Sequence, residues 1–257
     1  MLVSLSSSAQ FREMMTGRDA VNEQTIYKGI KAIYQKETAG VISGDSILQG
    51  QLLGTACLTY NADGKLTGRD EYYKTDPTTP YLRDHLDAAY YYDKNGNLLM
   101  KEECISGQSV GGRWVTNYSY EFDKEGRMKT RQIIETFSNF STKKIERYNA
   151  KGQIYACDIY DKKGNMASAA RFFYGEKGND IRDSVTEWGG ETATITITTT
   201  TYNSHNDPVT FQYVDNGELR MKGRYEYEYS KEGHWTKRAI CIDGQPVCID
   251  ELEYVKN

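Results

Sequence analysis

The side chains able to do chemistry are sparse and badly spaced for it. The chain has three histidines, His85, His205 and His234, and none stands at a spacing that suits a metal site or a catalytic dyad. His205 and His234 fall inside turn sequences and read as polar loop residues. The five cysteines, Cys57, Cys104, Cys157, Cys241 and Cys248, are an odd set without a CxxC pair, which argues against zinc or thioredoxin-like chemistry. Cys241 and Cys248 flank Asp243-Gly244-Gln245-Pro246. A two-residue loop at Gly244-Gln245 would set them opposite each other, as a cross-strand disulfide or as two buried thiols. HExxH, GxSxG, P-loop and dinucleotide signatures are absent, and the sequence calls for no metal or cofactor.

Carboxylates are the remaining acid–base candidates. Glycoside hydrolysis needs two of them facing each other across a cleft. With 36 acidic residues a pair is easy to nominate, but Glu226 and Glu228 alternate onto one face of one strand and read as solubilising charge. Aromatic residues offer binding rather than catalysis. Tyr92, Phe122, Tyr148, Tyr160 and Tyr229 open similar turn sequences, and a ladder of such rings could stack on a sugar or grip an extended peptide. The same ladder could equally pack beneath the turns as core.

The elements that would position these residues are written in repeats. Nine stretches fit aromatic-x-x-x-Gly or a close relative: YNADG at 60, YDKNG at 92, FDKEG at 122, YNAKG at 148, YDKKG at 160, YGEKG at 174, YNSHN at 202, YVDNG at 213 and YSKEG at 229. Their intervals run from 11 to 32 residues, too variable for a helical solenoid and suited to hairpins with arms of different length. In YDKNG, Asp93 can accept from a backbone N–H two residues on, and Gly96 supplies the positive φ that closes the reversal. Gly64, Gly126, Gly152, Gly164, Gly217 and Gly233 are read the same way, with Asn206 standing in for glycine in YNSHN.

Between turns the pattern has period two, the mark of half-buried strands. Tyr225, Tyr227 and Tyr229 alternate with Glu226 and Glu228, and Tyr118, Tyr120 and Phe122 with Ser119 and Glu121. Ala193, Ile195 and Ile197 oppose Thr194, Thr196 and Thr198, a threonine row best placed on an exposed face. Tyrosine is abundant, 21 against 7 phenylalanines, as suits broad sheet faces where a ring packs and its hydroxyl reaches water. Two segments break the pattern: residues 10–24, read as a helical turn or a tail, and Thr79-Pro80, an N-cap pattern ahead of YLRDHLDAA.

The expected fold is therefore all-β, a long antiparallel meander of repeated hairpins. So many strands cannot stay flat. One strongly twisted, curved sheet with a concave aromatic side is favoured over a rolled barrel-like shell or two packed sheets. Residues 25–257 form a single repeat domain. Residues 1–24 are a flexible segment or the remnant of a signal peptide, for which Ser7-Ser8-Ala9 has small-residue cleavage character. A net charge of −4 with both signs interleaved gives no basic stripe for nucleic acid, and the apolar runs are far shorter than the roughly 20 residues of a membrane-spanning helix.

The Tyr-Asp-x-x-Gly turns resemble the YD repeats of Rhs-type proteins, which are exported or surface proteins of bacteria and cell-surface proteins of animals. The resemblance covers most of the chain from Tyr60 to Gly233. In that family the repeats form a spiralling β-sheet, which large members close into a hollow shell around a toxin domain. This chain departs in its irregular intervals, in having too few repeats to close a cocoon, and in lacking the Asp-Pro-x-Gly core signature. The resemblance implies the sheet and an exported location, periplasm or cell surface, with a cytoplasmic one left open; encapsulation and self-cleavage do not carry over. Asp45-Ser46-Ile47 and Asp183-Ser184-Val185 resemble the O-glycosylation acceptor of exported Bacteroidetes proteins. Asn117-Tyr118-Ser119 and Asn139-Phe140-Ser141 match the N-glycosylation sequon. The function expected is a non-enzymatic envelope module recognising carbohydrate or another envelope protein. The alternatives are a polysaccharide hydrolase or a component of a toxin or secretion system.

Overall fold

A computed structural model describes residues 27–43, 46–73, 84–107, 112–138, 140–188 and 193–256. The expectations for residues 1–24, for the loop at 76–80, and for Asp45 and Asn139 fall outside them. The described chain is strand joined to strand by short reversals. The strands are β1 (Ile30–Ser43), β2 (Ser46–Tyr60), β3 (Leu66–Tyr73), β4 (Asp84–Tyr92), β5 (Leu98–Ser106), β6 (Gly112–Phe122), β7 (Met128–Phe137) and β8 (Phe140–Tyr148). They continue as β9 (Ile154–Tyr160), β10 (Met166–Tyr174), β11 (Asp180–Trp188), β12 (Ala193–Tyr202), β13 (Pro208–Asp215), β14 (Glu218–Tyr229), β15 (Trp235–Ile242) and β16 (Gln245–Lys256). Asp84–Tyr92 is a strand, so the N-cap pattern at Thr79-Pro80 does not start a helix over DHLDAAYYY. Tyr90 and Ala88 are needed on a buried face, and pairing on both sides outweighs the local signal.

Every strand pairs antiparallel with its sequence neighbour, and β1 pairs with β16. The favoured open sheet is thus corrected to a closed sixteen-strand barrel. The closing register runs from Ile30 opposite Lys256 to Ala39 opposite Cys248. Closure satisfies the two edges that an open meander would leave unpaired. Nor are the repeats too few for it.

The turns explain why. Those at 60, 92, 122, 148, 174, 202 and 229 all lie at one end of the barrel, one per pair of strands, 26 to 32 residues apart. The irregular intervals came from mixing in YDKKG at 160, which joins β9 to β10 at the opposite end, and YVDNG at 213, which is another kind of turn. In the first kind the Asx residue holds the loop. Asp93 N–H donates to Asn97 O, Gly96 N–H to Asp93 O, and Asp93 Oδ1 accepts from both Asn95 and Asn97 N–H. Gly64, Gly96, Gly126, Gly152, Gly164 and Gly233 have φ between 76° and 85° in this kind of turn, and Asn206 has 68°. At 213 the loop is only Asn216-Gly217, φ 48° and 84°, between Asp215 and Glu218.

Cross-strand partners share a face, so the registers sort the side chains. A row of pairs runs from Ile33 through Leu58, Arg69, Ala88 and Glu103 to Trp114. On that same face lie Ile33, Leu66 and Asp250, each at most 2% exposed. Most of the buried large side chains, Ile33, Leu58, Leu66, Tyr90, Phe211 and Ile240 among them, share that face, which makes it the inner one. The other face is buried mainly at the seam, where the arm of β1 and β2 bends over β16: Gln49 donates to Glu251, and Gly40 lies so close that a Cβ there would stand 2.8 Å from Pro246.

Tyrosines lock the turn end. Tyr92 donates to Leu66 O, Tyr120 to Leu98 O and Tyr174 to Ile154 O, each at 2.6 Å, and Tyr254 to Trp235 O at 3.2 Å. Each clasp ties a strand's lower end to the carbonyl just past the preceding turn, at the point where the ladder is interrupted by a bulge. Phenylalanine, without a hydroxyl, could not do this, which gives four of the tyrosines a role of their own.

Candidate functional site

The aromatic residues singled out by sequence do not form one exposed ladder. Tyr92 packs against the main apolar cluster of Ile30, Ile33, Leu58, Leu66 and Tyr90. Tyr148 donates to Glu146 Oε2 at 2.9 Å. Tyr229 donates to Asp207 Oδ2 at 2.8 Å and is stacked by His205 at 4.2 Å. Phe122 sits on the inner face near the same end, 47% exposed. Tyr160 is at the other end and on the outer face, opposite Lys143. Three of the five are thus held in packing or hydrogen bonds, and their rings serve the wall.

Cys241 and Cys248 are free thiols, as are Cys57, Cys104 and Cys157. The two-residue loop is Asp243-Gly244, not Gly244-Gln245, and a bulge places Cys241 opposite Pro246 and Cys248 opposite Ile240. Ile240 is on the inner face and Cys241, next to it, on the outer, so the two sulfurs belong to different faces. The threonine row is also turned around. Thr194, Thr196 and Thr198 point inward, Thr198 beside Asp183, while Ile195 is outward and 47% exposed. Among the described residues no three His, Cys, Asp or Glu side chains cluster as metal ligands.

The inner face carries paired charges above the tyrosine clasps. Arg238 bonds Asp250 Oδ2 through Nε at 3.0 Å and Nη2 at 2.6 Å, both residues buried, with the guanidinium 5.1 Å from the Trp235 ring. Across the barrel Glu146 is bound by Arg131 at 2.6 Å and by Lys144 at 3.0 Å. Burial pushes the Glu146 carboxyl up, but Lys144 and Arg131 together with the Tyr148 hydroxyl hold it below the ordinary carboxylate range. Outside the same strands, Asp158 is covered by Arg147 at 2.5 Å and Arg171 at 2.9 Å. These groups are saturated with partners and are built as structure.

A groove of about 710 Å³ crosses the outer wall at the seam, lined by residues of β1, β2, β3, β14, β15 and β16. Tyr34 and Tyr72 stand in it, 49% and 45% exposed. Tyr72 stacks on His85 with ring centres 4.4 Å apart, and His85 Nε2 lies 2.8 Å from Asp70 Oδ1. This fixes the Tyr72 ring upright between β3 and β4, where Tyr72 and His85 are register partners. Tyr34 rests against the Cys57 thiol, its register partner, and that neighbour raises its pKa. Along the floor Lys36 pairs with Glu251 at 3.6 Å and Lys237 with Glu228 at 3.2 Å, with Glu253 beside them. Two half-exposed rings held by neighbours, among polar groups of both signs, can take a ligand with a flat apolar face and a polar edge. Sequence reasoning missed this groove. Its two tyrosines belong to no repeat, and they share a wall with Glu228 and Lys237 only because the chain closes on itself.

No protein-family model matches the chain, and no curated protein matches it in sequence. Among solved structures, a porin-like protein from Bacteroides uniformis superposes on 90% of this chain and 100% of its own, with a TM-score of 0.53 at 12% identity. A porin-like protein from Bacteroides vulgatus covers 88% of this chain and 98% of its own at 10% identity, TM-score 0.39. A Tc holotoxin pore from Photorhabdus luminescens covers 79% of this chain and 14% of its own at 12% identity, TM-score 0.27. The first likeness is one of fold; the other two are too distant in shape to bear on function.

Proposed function

We propose that this protein is a non-enzymatic barrel of the bacterial cell envelope that stands in water and binds a carbohydrate chain along its seam groove. The observation carrying the reading is the pair Tyr34 and Tyr72, half exposed on one wall and held upright by Cys57 and His85. Sugar rings stack on such platforms through their C–H faces while hydroxyls meet flanking carboxylates and ammonium groups. Asp70, Glu251, Glu253 and Lys36 supply those flanks.

The fold likeness to a porin-like protein supports an envelope setting, but the outer wall is unlike a lipid-facing one. Outward-facing Asp70, Arg113, Arg171, Arg224, Glu226 and Glu228 are all 48% to 68% exposed. An Arg or Lys at a bilayer midplane costs roughly 2–4 kcal/mol each. Charges scattered around the wall therefore favour an aqueous compartment, the periplasm or the outer surface.

A glycan-array screen followed by titration of the best hit tests the reading. Tyr72→Ala and Tyr34→Ala should each weaken binding about tenfold, the loss of one stacked ring. Binding untouched by both substitutions, or no glycan bound at all, defeats the proposal.

A further inference from the structure

We infer that the carbohydrate of the seam groove is a chain of amino sugars with free, protonated amines, such as a glucosamine oligomer. The assignment rests on the groove being a carbohydrate site and adds the class of sugar.

The registers give the groove its shape. Tyr34 on β1 and Tyr72 on β3 flank β2, whose outward residues between them, Thr55 and Cys57, are small. The two rings are therefore the walls of a trough one strand wide. Each ring has a carboxylate beside it. Glu253 on β16 is the register partner of Tyr34, and Asp70 stands two residues from Tyr72 on the same face of β3.

Positive charge is in short supply there. Four acids, Asp70, Glu228, Glu251 and Glu253, line the groove against two lysines, Lys36 and Lys237. Both lysines are engaged, Lys36 by Glu251 at 3.6 Å and Lys237 by Glu228 at 3.2 Å. Glu253 and Asp70 are exposed and have no lysine or arginine partner among the described residues. His85 Nε2 meets only Oδ1 of Asp70, at 2.8 Å. Asp87 on β4, also exposed, sits directly opposite Asp70, and like charges so placed repel. A cation held at this end of the trough relieves that repulsion.

The ligand class follows from the pairing of each ring with a carboxylate. A neutral sugar covers the rings and leaves both carboxylates to water. A sugar acid brings more negative charge to a surface already in excess. A lysine-rich peptide supplies ammonium groups but no flat C–H face for the tyrosines. A chain of amino sugars carries one ring face and one ammonium group per unit, the combination that the wall meets at Tyr34 with Glu253 and at Tyr72 with Asp70. Ammonium–carboxylate hydrogen bonds are charge-assisted, and the ring faces stack.

The test is calorimetric titration of the full chain, at neutral pH and low salt, with a glucosamine oligomer, with its N-acetylated neutral counterpart and with an oligolysine of equal charge. The expected result is the amino sugar bound about tenfold tighter than either control, with added salt removing most of its margin over the neutral oligomer. Glu253→Gln and Asp70→Asn should each lower amino-sugar affinity about three- to fivefold, as exposed ion pairs do, and leave that of the neutral oligomer in place. Glu218→Gln, which removes a charge 70% exposed at the other end of β14, should change neither. Tyr72→Ala should weaken both oligomers alike. Equal binding of the neutral oligomer, or amino-sugar affinity indifferent to both carboxylate substitutions, overturns the inference and leaves the carbohydrate reading standing. Oligolysine bound as tightly as the amino sugar and unaffected by Tyr72→Ala overturns both, because the groove then reads charge without a ring. An equal loss in Glu218→Gln overturns the inference as an effect of net charge. If neither oligomer binds, the inference fails and the glycan array decides the wider reading by itself.

Discussion

The two sides of this barrel are held together by different physics. Around the seam, from β13 through β16 to β5, the inner face is closed by apolar packing: Ile33, Leu58, Leu66 and Tyr90 in one cluster, Phe211, Tyr225 and Ile240 in another. On the far side, from β6 to β12, it is lined by Arg131, Lys144, Glu146, Asp183 and the inward threonines, with Phe122 47% and Phe140 56% exposed. Sixteen strands enclose more volume than their own side chains fill. The seam, which must bring the chain's two ends together, takes the apolar packing, and the far wall buries paired polar groups, Glu146 and Asp183 each 3% exposed, beside half-exposed rings. The lesson is that neighbouring strands, tied at their ends by tyrosines such as Tyr120 and Tyr174, can carry a wall whose inner face is held by polar pairs rather than by apolar packing alone.

The sharpest way to break this contrast is to remove one partner of a charge pair on each side. Asp250→Ala leaves Arg238, 6% exposed, without its carboxylate in a dry setting, and should cost about 3–5 kcal/mol. Glu146→Gln keeps a hydrogen-bonding head and leaves Lys144, 36% exposed, able to reach water, so its cost should be about 1.5–3 kcal/mol. Urea unfolding monitored by circular dichroism measures both. Equal losses would mean that the far wall is as dry as the seam.

Truncating apolar side chains sharpens the same point with smaller effects. Leu66→Ala removes a side chain that is 1% exposed within the seam cluster and should cost about 2–4 kcal/mol. Phe122→Ala, at the same turn end of the far side, removes a larger but half-exposed ring and should cost under about 1.5 kcal/mol. A Phe122→Ala loss matching that of Leu66→Ala would show the far interior to be packed after all.

Much of this architecture can be read from residues, and the failures are instructive. The Asx and glycine positions specify tight reversals because few residues accept φ near 80°, and alternation identifies strands. The step from meander to barrel is not written locally. It rests on β1 and β16 finding each other across most of the chain, and neither Ile30–Ser43 nor Gln245–Lys256 carries the turn signature. Nor does local pattern say which face is inside. Thr194, Thr196 and Thr198 point in against Asp183 because the far interior is polar, which reverses the rule that places isoleucine inward. The groove was illegible for the first reason: Tyr34 and Tyr72 share a wall with Glu228 and Lys237 only through closure. The Tyr160 turn is legible as a repeat, yet its end of the barrel depends on counting strands, and β9 is only seven residues long.

Acid gives the gentlest test, because it acts on the two sides through protonation alone. Glu146 and Asp158 both have pKa values held below the ordinary range. For each, burial works the other way but is outweighed, by Lys144 and Arg131 in the first case and by hydrogen bonds from Arg147 and Arg171 in the second. A carboxylate whose folded pKa is depressed contributes stability that is complete above its unfolded value, about 4, and is lost as pH falls through the folded one. The seam has a buried carboxylate of its own, Asp250 paired with Arg238 on β16 and β15, but the cluster of Ile33, Leu58 and Leu66 on β1 to β3 is apolar. Amide exchange should therefore lose protection in β7 to β10 first as pH is lowered below about 4, while β1 to β3 hold. Glu146→Gln should flatten the fall of stability with acid without changing where β1 to β3 open. If both sides lose protection together and the variant keeps the wild-type acid slope, the far wall is not held by charge, and the contrast between the two sides fails.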